Sequence, residues 1–150
     1  MSLLDSLSPA DAALLTESRR AVLATVRPDG RPRLVPITFT VDAGADVVYS
    51  PLDEKRKSVE NPRALARVRD IATRPDVSLL VDRWSEDWAR LAWLRLDGRA
   101  SLLEPADGDG EHRAAVQGLR RRYAQYAEQQ LDDRPVLRLA IFAVRSWVAT

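Results

Sequence analysis

The sequence predicts one α+β domain in which about three helices accompany six or seven antiparallel strands that form a small barrel. Apolar residues recur with a period of two over several short segments and with helical spacing over only three. The predicted strands and helices do not alternate regularly, which argues against a parallel β-α-β sheet. A chain of 150 residues can bury one hydrophobic core and is too short for two, so residues 1–150 are expected to form a single domain.

The N-terminal third predicts a short helix followed by three strands. The helix is expected over residues 9–18, with Ser8 as its N-cap and a Pro at its first position. Alternating apolar residues predict strands at Ala21–Val26 and at residues 34–41, around a turn that contains Gly30. A third strand is expected at residues 47–50. An antiparallel meander is the simplest topology for these three strands.

The remaining residues predict two helices and further strands. An N-cap at Asn61 predicts a helix that begins at Pro62 and is stopped by Arg74 and Pro75, and an amphipathic pattern predicts another over residues 111–131. Strands are predicted at residues 77–82, 91–98, 99–103 and 136–148. The strand at 77–82 is almost continuously apolar, so it is expected to be central and buried on both faces. A tight or bulged corner is expected at Asp97 and Gly98.

The composition excludes several kinds of chemistry. Without Cys there are no disulfides, no thiolate nucleophile and no sulfur ligands for zinc, and a single His excludes His-pair metal sites. That residue, His112, lies among charged residues and is expected to be exposed at a helix start. The net charge of +1 gives no overall field that would attract nucleic acid or a membrane. The chain has no long apolar run and no leader pattern, so a cytoplasmic protein is expected.

Two groups of residues have more than one interpretation. Both lysines of the chain fall in Lys55, Arg56 and Lys57, a tripeptide that is most simply a solvated loop. Trp84 and Trp88 bracket a short polar segment after the central strand, where they could line a flat ligand, form a subunit interface or pack in the core. The residues alone leave these alternatives open.

A basic run lies beside two tyrosines at Arg120, Arg121, Arg122, Tyr123 and Tyr126. In a nucleic-acid-binding protein the tyrosine rings could stack on bases while the arginines contact phosphates. Both tyrosines fall on the apolar stripe of the predicted helix, which favours core packing instead. The sequence shows no arrangement of side chains that could carry out a demanding reaction alone. If the protein is an enzyme, a bound cofactor would supply its chemistry.

Four segments, taken in their order along the chain, resemble the pyridoxamine 5′-phosphate oxidase-like superfamily. They are residues 20–36, 49–57, 74–82 and 96–100. The closest likeness is to its actinobacterial flavin/deazaflavin oxidoreductases, which use coenzyme F420. The resemblance implies an FMN-binding type of split β-barrel, assembled as a homodimer with two cofactor sites at the subunit interface.

The resemblance also implies a set of cofactor-binding residues. They are Val35, Pro36, Ile37, Thr38, Ser50, Lys55, Arg56, Lys57 and Trp93. The second strand would hold the ring along its backbone, and the basic residues after the third strand would hold the phosphate tail beside Ser50. Trp93 occupies a strand position that lies near the ring in relatives.

Two departures from the superfamily pattern refine the expected function. Flavin-using oxidases carry an Arg in the second strand where this chain has Val35, which favours F420 over FMN. The C-terminal residues that bind pyridoxal phosphate in the true oxidases have no counterpart, so pyridoxamine oxidation is not expected. The resemblance implies F420-dependent hydride transfer to or from a small substrate, with no catalytic side chain assigned. An FMN-dependent reductase, a non-catalytic flavin-binding protein and, more weakly, a nucleic-acid-binding domain are the alternatives.

Overall fold

The computed structural model describes residues 1–53, 61–107 and 109–149. Over these residues the strands are β1 (Ala21–Val26), β2 (Pro32–Ile37), β3 (Thr40–Asp42), β4 (Val47–Pro51), β5 (Asp76–Arg83), β6 (Ala92–Leu103) and β7 (Val136–Val148). The α-helices are α1 (Pro9–Glu17), α2 (Ala66–Thr73) and α3 (Glu111–Arg122). The seven strands form one sheet in the order β2-β1-β5-β6-β7-β4-β3, and every pairing is antiparallel.

The sheet is curled because its two edge strands are consecutive in the chain. Only Thr38 and Phe39 separate β2 from β3, although these strands lie at opposite edges. Successive Cα atoms are about 3.8 Å apart, so the edges must approach each other at this corner. The result is the split β-barrel that the sequence predicts, and the expected α+β class is confirmed.

The predicted single strand over residues 34–41 and the predicted meander are wrong. In the described sheet β2 pairs with β1, whereas β3 pairs with β4. Ile37 and Phe39 are both buried, at 6% and 0% exposure, so the period of two continues through the corner. A pattern of burial therefore cannot show that the chain changes from one edge of the sheet to the other.

Strand β5 lies inside the sheet, as expected, but it is not buried on both faces. Leu79 and Val81 are buried in the core, whereas Leu80 between them is exposed on the outer side. The predicted corner at Gly98 is a β-bulge within one continuous strand, β6, where the register with β7 shifts. A Cβ at Gly98 would lie 2.6 Å from the carbonyl oxygen of Ala140, which explains the glycine there.

Helices α2 and α3 are clearly shorter than the sequence predicts. Helix α1 ends one residue early, and its N-cap Ser8 accepts a hydrogen bond from the Asp11 amide as predicted. Asn61 caps a 3₁₀ turn over Pro62–Ala64, and extended backbone at Leu65 separates this turn from α2. The predicted helix over residues 111–131 ends at Arg122, and a second 3₁₀ turn follows. No helix in the described part of the chain is long and apolar enough to cross a membrane.

His112 is not exposed as predicted. It is 3% exposed on the first turn of α3, and its Nε2 lies 2.6 Å from the carbonyl oxygen of Arg134. The charged neighbours of His112 in sequence point elsewhere on the helix, because adjacent helical residues face different directions.

Candidate functional site

A small cavity of about 120 Å³ opens where the ends of β2 and β4 meet. We call it the β2 cavity. Its lining residues are Val35, Pro36, Ile37, Thr38, Ser50, Pro51, Asp53 and Arg67. The corner at Thr38 and Phe39 brings the two strand ends together, and Ser50 Oγ joins them by donating to the Thr38 carbonyl oxygen at 2.9 Å.

Five of the nine residues proposed from the resemblance therefore lie around one cavity, the four of the second strand and Ser50. They come from two strands that are not neighbours in the sheet, so their meeting depends on the curl of the barrel. Lys55, Arg56 and Lys57 lie outside the described residues.

A buried chain of hydrogen bonds lies behind Thr38 and Asp53, two residues that line the β2 cavity. Tyr126 Oη donates to Asp53 Oδ2 at 2.5 Å, and Thr38 Oγ1 lies 2.7 Å from Tyr126 Oη. Since an ionised carboxylate can only accept, the phenol proton belongs to the bond with Asp53 and the Thr38 hydroxyl donates to the phenol oxygen. Burial, followed by the bond to Asp53, raises the pKa of Tyr126, so the phenol stays protonated.

Tyr123 supports the corner from the other side. Its hydroxyl accepts from the Phe39 amide at 3.1 Å and donates to the Arg19 carbonyl oxygen at 3.0 Å. Its ring meets that of Tyr126 edge to face, with centroids 5.6 Å apart. Sequence reasoning assigned both tyrosines to core packing, and their burial confirms this, but their hydroxyl contacts to the corner were missed.

Arg67 brings a cation to the β2 cavity from the second position of α2. Its Nε is buried and has no hydrogen-bond partner among the residues that the structure describes. Burial lowers the pKa of this guanidinium, and the attraction of Asp53 offsets only part of the effect. Sequence reasoning missed Arg67, because nothing in the sequence separates it from the many other arginines.

Trp93 lies away from the β2 cavity of its own chain, on the side of β6 that faces outward. It lines an open cleft of about 450 Å³ that Trp84 and Trp147 also line. Trp93 and Trp147 are directly opposite each other on β6 and β7. Trp84 and Trp88 are 67% and 69% exposed, so the core-packing interpretation of these two residues is wrong.

Two arginines of the basic run on α3, Arg120 and Arg122, make contacts within the chain. Arg120 forms an ion pair with Asp132 at 2.9 Å, and Arg122 donates to the carbonyl oxygens of Leu15 and Ser18. Over the described ranges, no cluster of three or more His, Asp or Glu side chains is arranged to hold a metal ion.

Solved structures with the same fold include proteins with different stated roles. A conserved hypothetical protein of Mycobacterium tuberculosis is 21% identical, with a TM-score of 0.71 over 95% of this chain and 85% of that one. The haem storage protein of Vibrio cholerae is 18% identical, with a TM-score of 0.69 over 99% of this chain and 95% of that one. A Listeria innocua protein named as a pyridoxamine 5′-phosphate oxidase is 19% identical, with a TM-score of 0.64 over 97% and 98% of the two chains.

At these identities the solved structures show the fold alone, and no curated protein matches the sequence significantly. The sequence pattern of one family, described as pyridoxamine 5′-phosphate oxidase, matches residues 7–148. This match spans nearly the whole chain, including every strand and helix given above, so the chain belongs to the pyridoxamine 5′-phosphate oxidase family.

Proposed function

We propose that this protein binds a phosphorylated flavin-type cofactor, with F420 preferred over FMN, and transfers a hydride between that cofactor and a small unsaturated substrate. The observation that supports this most directly is the β2 cavity. It collects residues 35–38 and Ser50 at one place, where the resemblance predicted a ring and its tail.

The edge position of β2 suits it to hold a flat ring. In the described sheet β2 has β1 as its one neighbour, so the other side of its backbone is free of ladder bonds. Pro36 has no amide proton, so this edge cannot donate at that position. A ring along the edge would meet carbonyl acceptors and the Thr38 hydroxyl, which Tyr126 contacts from behind.

Bound F420 would supply the two-electron hydride chemistry itself. The residues of the chain then have to bind, orient and exclude water. The Ser50 and Thr38 hydroxyl protons are already donated within the protein, so these oxygens present lone pairs to a ligand. The phenol of Tyr126, held neutral by its raised pKa, adds no second negative charge beside Asp53.

We further propose that the protein is a homodimer and that the outer face of its sheet is the interface. The outer face is the side of the sheet that points away from the core. Its large exposed apolar residues are Leu34, Leu80, Phe142 and Trp147. A second copy on this face would cover them, and it could bring its own Trp93 to a ring held along β2.

Haem storage, the role named for the Vibrio cholerae protein, is less well supported for this chain. Its only His, His112, is buried, and the Nε2 atom lies against the carbonyl oxygen of Arg134. The imidazole is therefore enclosed within the chain and does not present an exposed ligand to haem iron in this conformation.

Parallel titrations of the apo-protein with F420, FMN and haem test the proposal. Ligand fluorescence reports the first two and haem absorbance the third. We expect micromolar affinity for F420 and weaker binding of FMN. The reverse order would place the FMN reductase first, and binding of haem alone would overturn the proposal. F420 binding without oxidation of reduced F420 by a panel of small enones would indicate a binding protein rather than an enzyme.

The basic tripeptide gives a second prediction. If Arg56 and Lys57 hold the phosphate tail, Lys57→Ala should weaken F420 binding about 10- to 150-fold, since a charge-assisted hydrogen bond contributes about 1.5 to 3 kcal/mol. Thermal unfolding should be almost unchanged, and raised salt should reproduce part of the loss. Wild-type affinity in both Lys57→Ala and Arg56→Ala would mean that the tripeptide is a solvated loop.

A further inference from the structure

Arg67 has a buried charged donor that the described structure does not use. Its Nε is shielded from solvent and has no acceptor among the described residues, in a fold that satisfies its other buried side-chain donors there. Leaving a buried donor unsatisfied is unfavourable, and more so when the group is charged. A ligand acceptor at this position would remove that cost.

The position of Arg67 on its helix adds to the cost. It is the second residue of α2, and the first turn of a helix carries a partial positive charge that disfavours cations. Leu65 precedes the helix and makes no side-chain cap. The local structure therefore gives no stabilising reason for an arginine here.

The charges around the β2 cavity favour an anion. Asp53 is buried and accepts from Tyr126, while Arg134 donates to the carbonyl oxygens of Leu52 and Asp53 at 2.7 and 3.2 Å. Arg67 and Asp53 are the charged residues among the lining residues given above, and Arg134 adds a second guanidinium at the backbone next to Asp53. The pKa of Arg67 is lowered by burial despite Asp53, so Asp53 does not fully compensate the guanidinium.

The size of the cavity limits what can enter. At about 120 Å³ the β2 cavity is much smaller than the outer cleft that Trp93 lines, which has about 450 Å³. This suits a compact oxyanion and is too small for a fused ring. The Ser50 and Thr38 hydroxyls donate elsewhere, so among the described side chains that line the cavity Arg67 is the one that can donate to such an anion.

We propose that Arg67 is the anion receptor of the β2 cavity and that it binds a phosphoryl oxygen of the cofactor tail. The identity of the phosphoryl group rests on the proposed function, because a free phosphate ion has the same chemistry. In this arrangement the tail enters the cavity while the ring lies outside along the edge of β2. Arg67 then determines the selection of phosphorylated cofactors over unphosphorylated ones.

The test compares FMN with riboflavin, which has the same ring and lacks the phosphate. We expect Arg67→Gln to weaken FMN binding about 10- to 150-fold and to change riboflavin binding less than about twofold. Arg69→Gln, two residues along the same helix and exposed, is the matched control and should change neither. If F420 is the tighter ligand, F420 and its phosphate-free deazaflavin alcohol replace the flavin pair.

Inorganic phosphate serves as a second probe. Millimolar phosphate should raise the Tm of the wild-type protein and of Arg69→Gln, but not that of Arg67→Gln. If neither FMN nor F420 binds and phosphate still raises Tm through Arg67, the cofactor function fails while Arg67 remains an anion receptor. Equal losses for FMN and riboflavin, or unchanged FMN binding in Arg67→Gln, would overturn the proposal. If Arg67→Gln fails to fold, Arg67→Lys replaces it, with a smaller loss expected for FMN and none for riboflavin.

Discussion

At the scale of single residues, Asp70 shows how the barrel accommodates a buried charge. It is 1% exposed and accepts from Thr25 Oγ1 and from Arg33 Nε, each at 2.7 Å. Burial alone would raise the pKa of this carboxyl, but the hydrogen bonds from Arg33 and Thr25 lower it below its usual value. The ionised carboxylate therefore stabilises the fold by joining α2 to the strands β1 and β2.

This arrangement predicts how stability depends on pH. Because the pKa of Asp70 is lower in the folded state, its contribution is complete above the unfolded pKa of about 3.9 and is lost as the pH falls through the folded pKa. The free energy of unfolding, measured in urea, should therefore decrease below about pH 4. Asp70→Asn should flatten that decrease and cost about 2 kcal/mol near pH 7.

Asp76→Asn is the control for this prediction. Its carboxylate is 80% exposed and lies 3.9 Å from Arg99, so the substitution should change neither the stability nor its slope with pH. An Asp70→Asn protein that kept the wild-type slope would show that other carboxylates control the acid unfolding. Glu111 is the first alternative, because hydrogen bonds from Tyr49 and Arg138 lower its pKa.

Single residues were also where sequence reasoning failed most often. The burial of His112, the orphan Nε of Arg67 and the hydroxyl contacts of Tyr123 all depend on atoms from distant parts of the chain. A sequence pattern reports the direction of a side chain relative to its own helix or strand. It does not report which distant carbonyl or amide the side chain will meet.

At the scale of elements, the sequence predicted the positions of those helices and strands that local patterns determine. The strands β1 and β7 and the start of α1 lie where alternation, helical spacing and capping predict them. The end of α3 does not, because Tyr123 leaves the helix to bind the Phe39 amide and the Arg19 carbonyl. These contacts are available only in the folded barrel, so they outweigh the helical pattern that continues to residue 131.

The bulge in β6 gives a prediction at this scale. Gly98→Ala would place a Cβ 2.6 Å from the backbone oxygen of Ala140, and a main-chain atom in a paired strand cannot move aside cheaply. We expect a loss of about 1 to 3 kcal/mol in the free energy of unfolding, as for other overpacked sites. Urea denaturation measures the loss.

Gly44→Ala provides the matched comparison. Its Cβ would lie 3.8 Å from Asp42 Oδ1, an ordinary contact, so its stability should be close to that of the wild type. Equal stability of Gly98→Ala and Gly44→Ala would show that the β6–β7 ladder can shift to accept a side chain at the bulge.

At the scale of the whole molecule, the order of motifs predicted the split barrel although one strand was misassigned. The correct fold and the wrong meander are compatible, because the resemblance depends on segments and their order rather than on strand pairing. Five of the nine residues named from the same order line the β2 cavity, and their binding of a cofactor stays a prediction. The order of motifs could not place Trp93 relative to that cavity, since Trp93 lines a separate cleft of the same chain.

The outer face carries the last prediction. Leu34, Leu80, Phe142 and Trp147 are 68%, 38%, 57% and 46% exposed, and large exposed apolar patches usually mark interaction surfaces. Light scattering at micromolar concentration should therefore give the mass of a dimer. The interface of such a permanent dimer is expected to bury more than about 2,000 Å² in total. Leu80→Asp should produce a folded monomer that binds F420 more weakly, because Trp93 of a second copy would no longer reach the ring.

The control for this variant is Gln117→Asp, at an exposed position on α3, which should stay dimeric. A monomeric wild-type protein with full F420 affinity would refute the shared site and leave the β2 cavity of one chain to bind the cofactor alone.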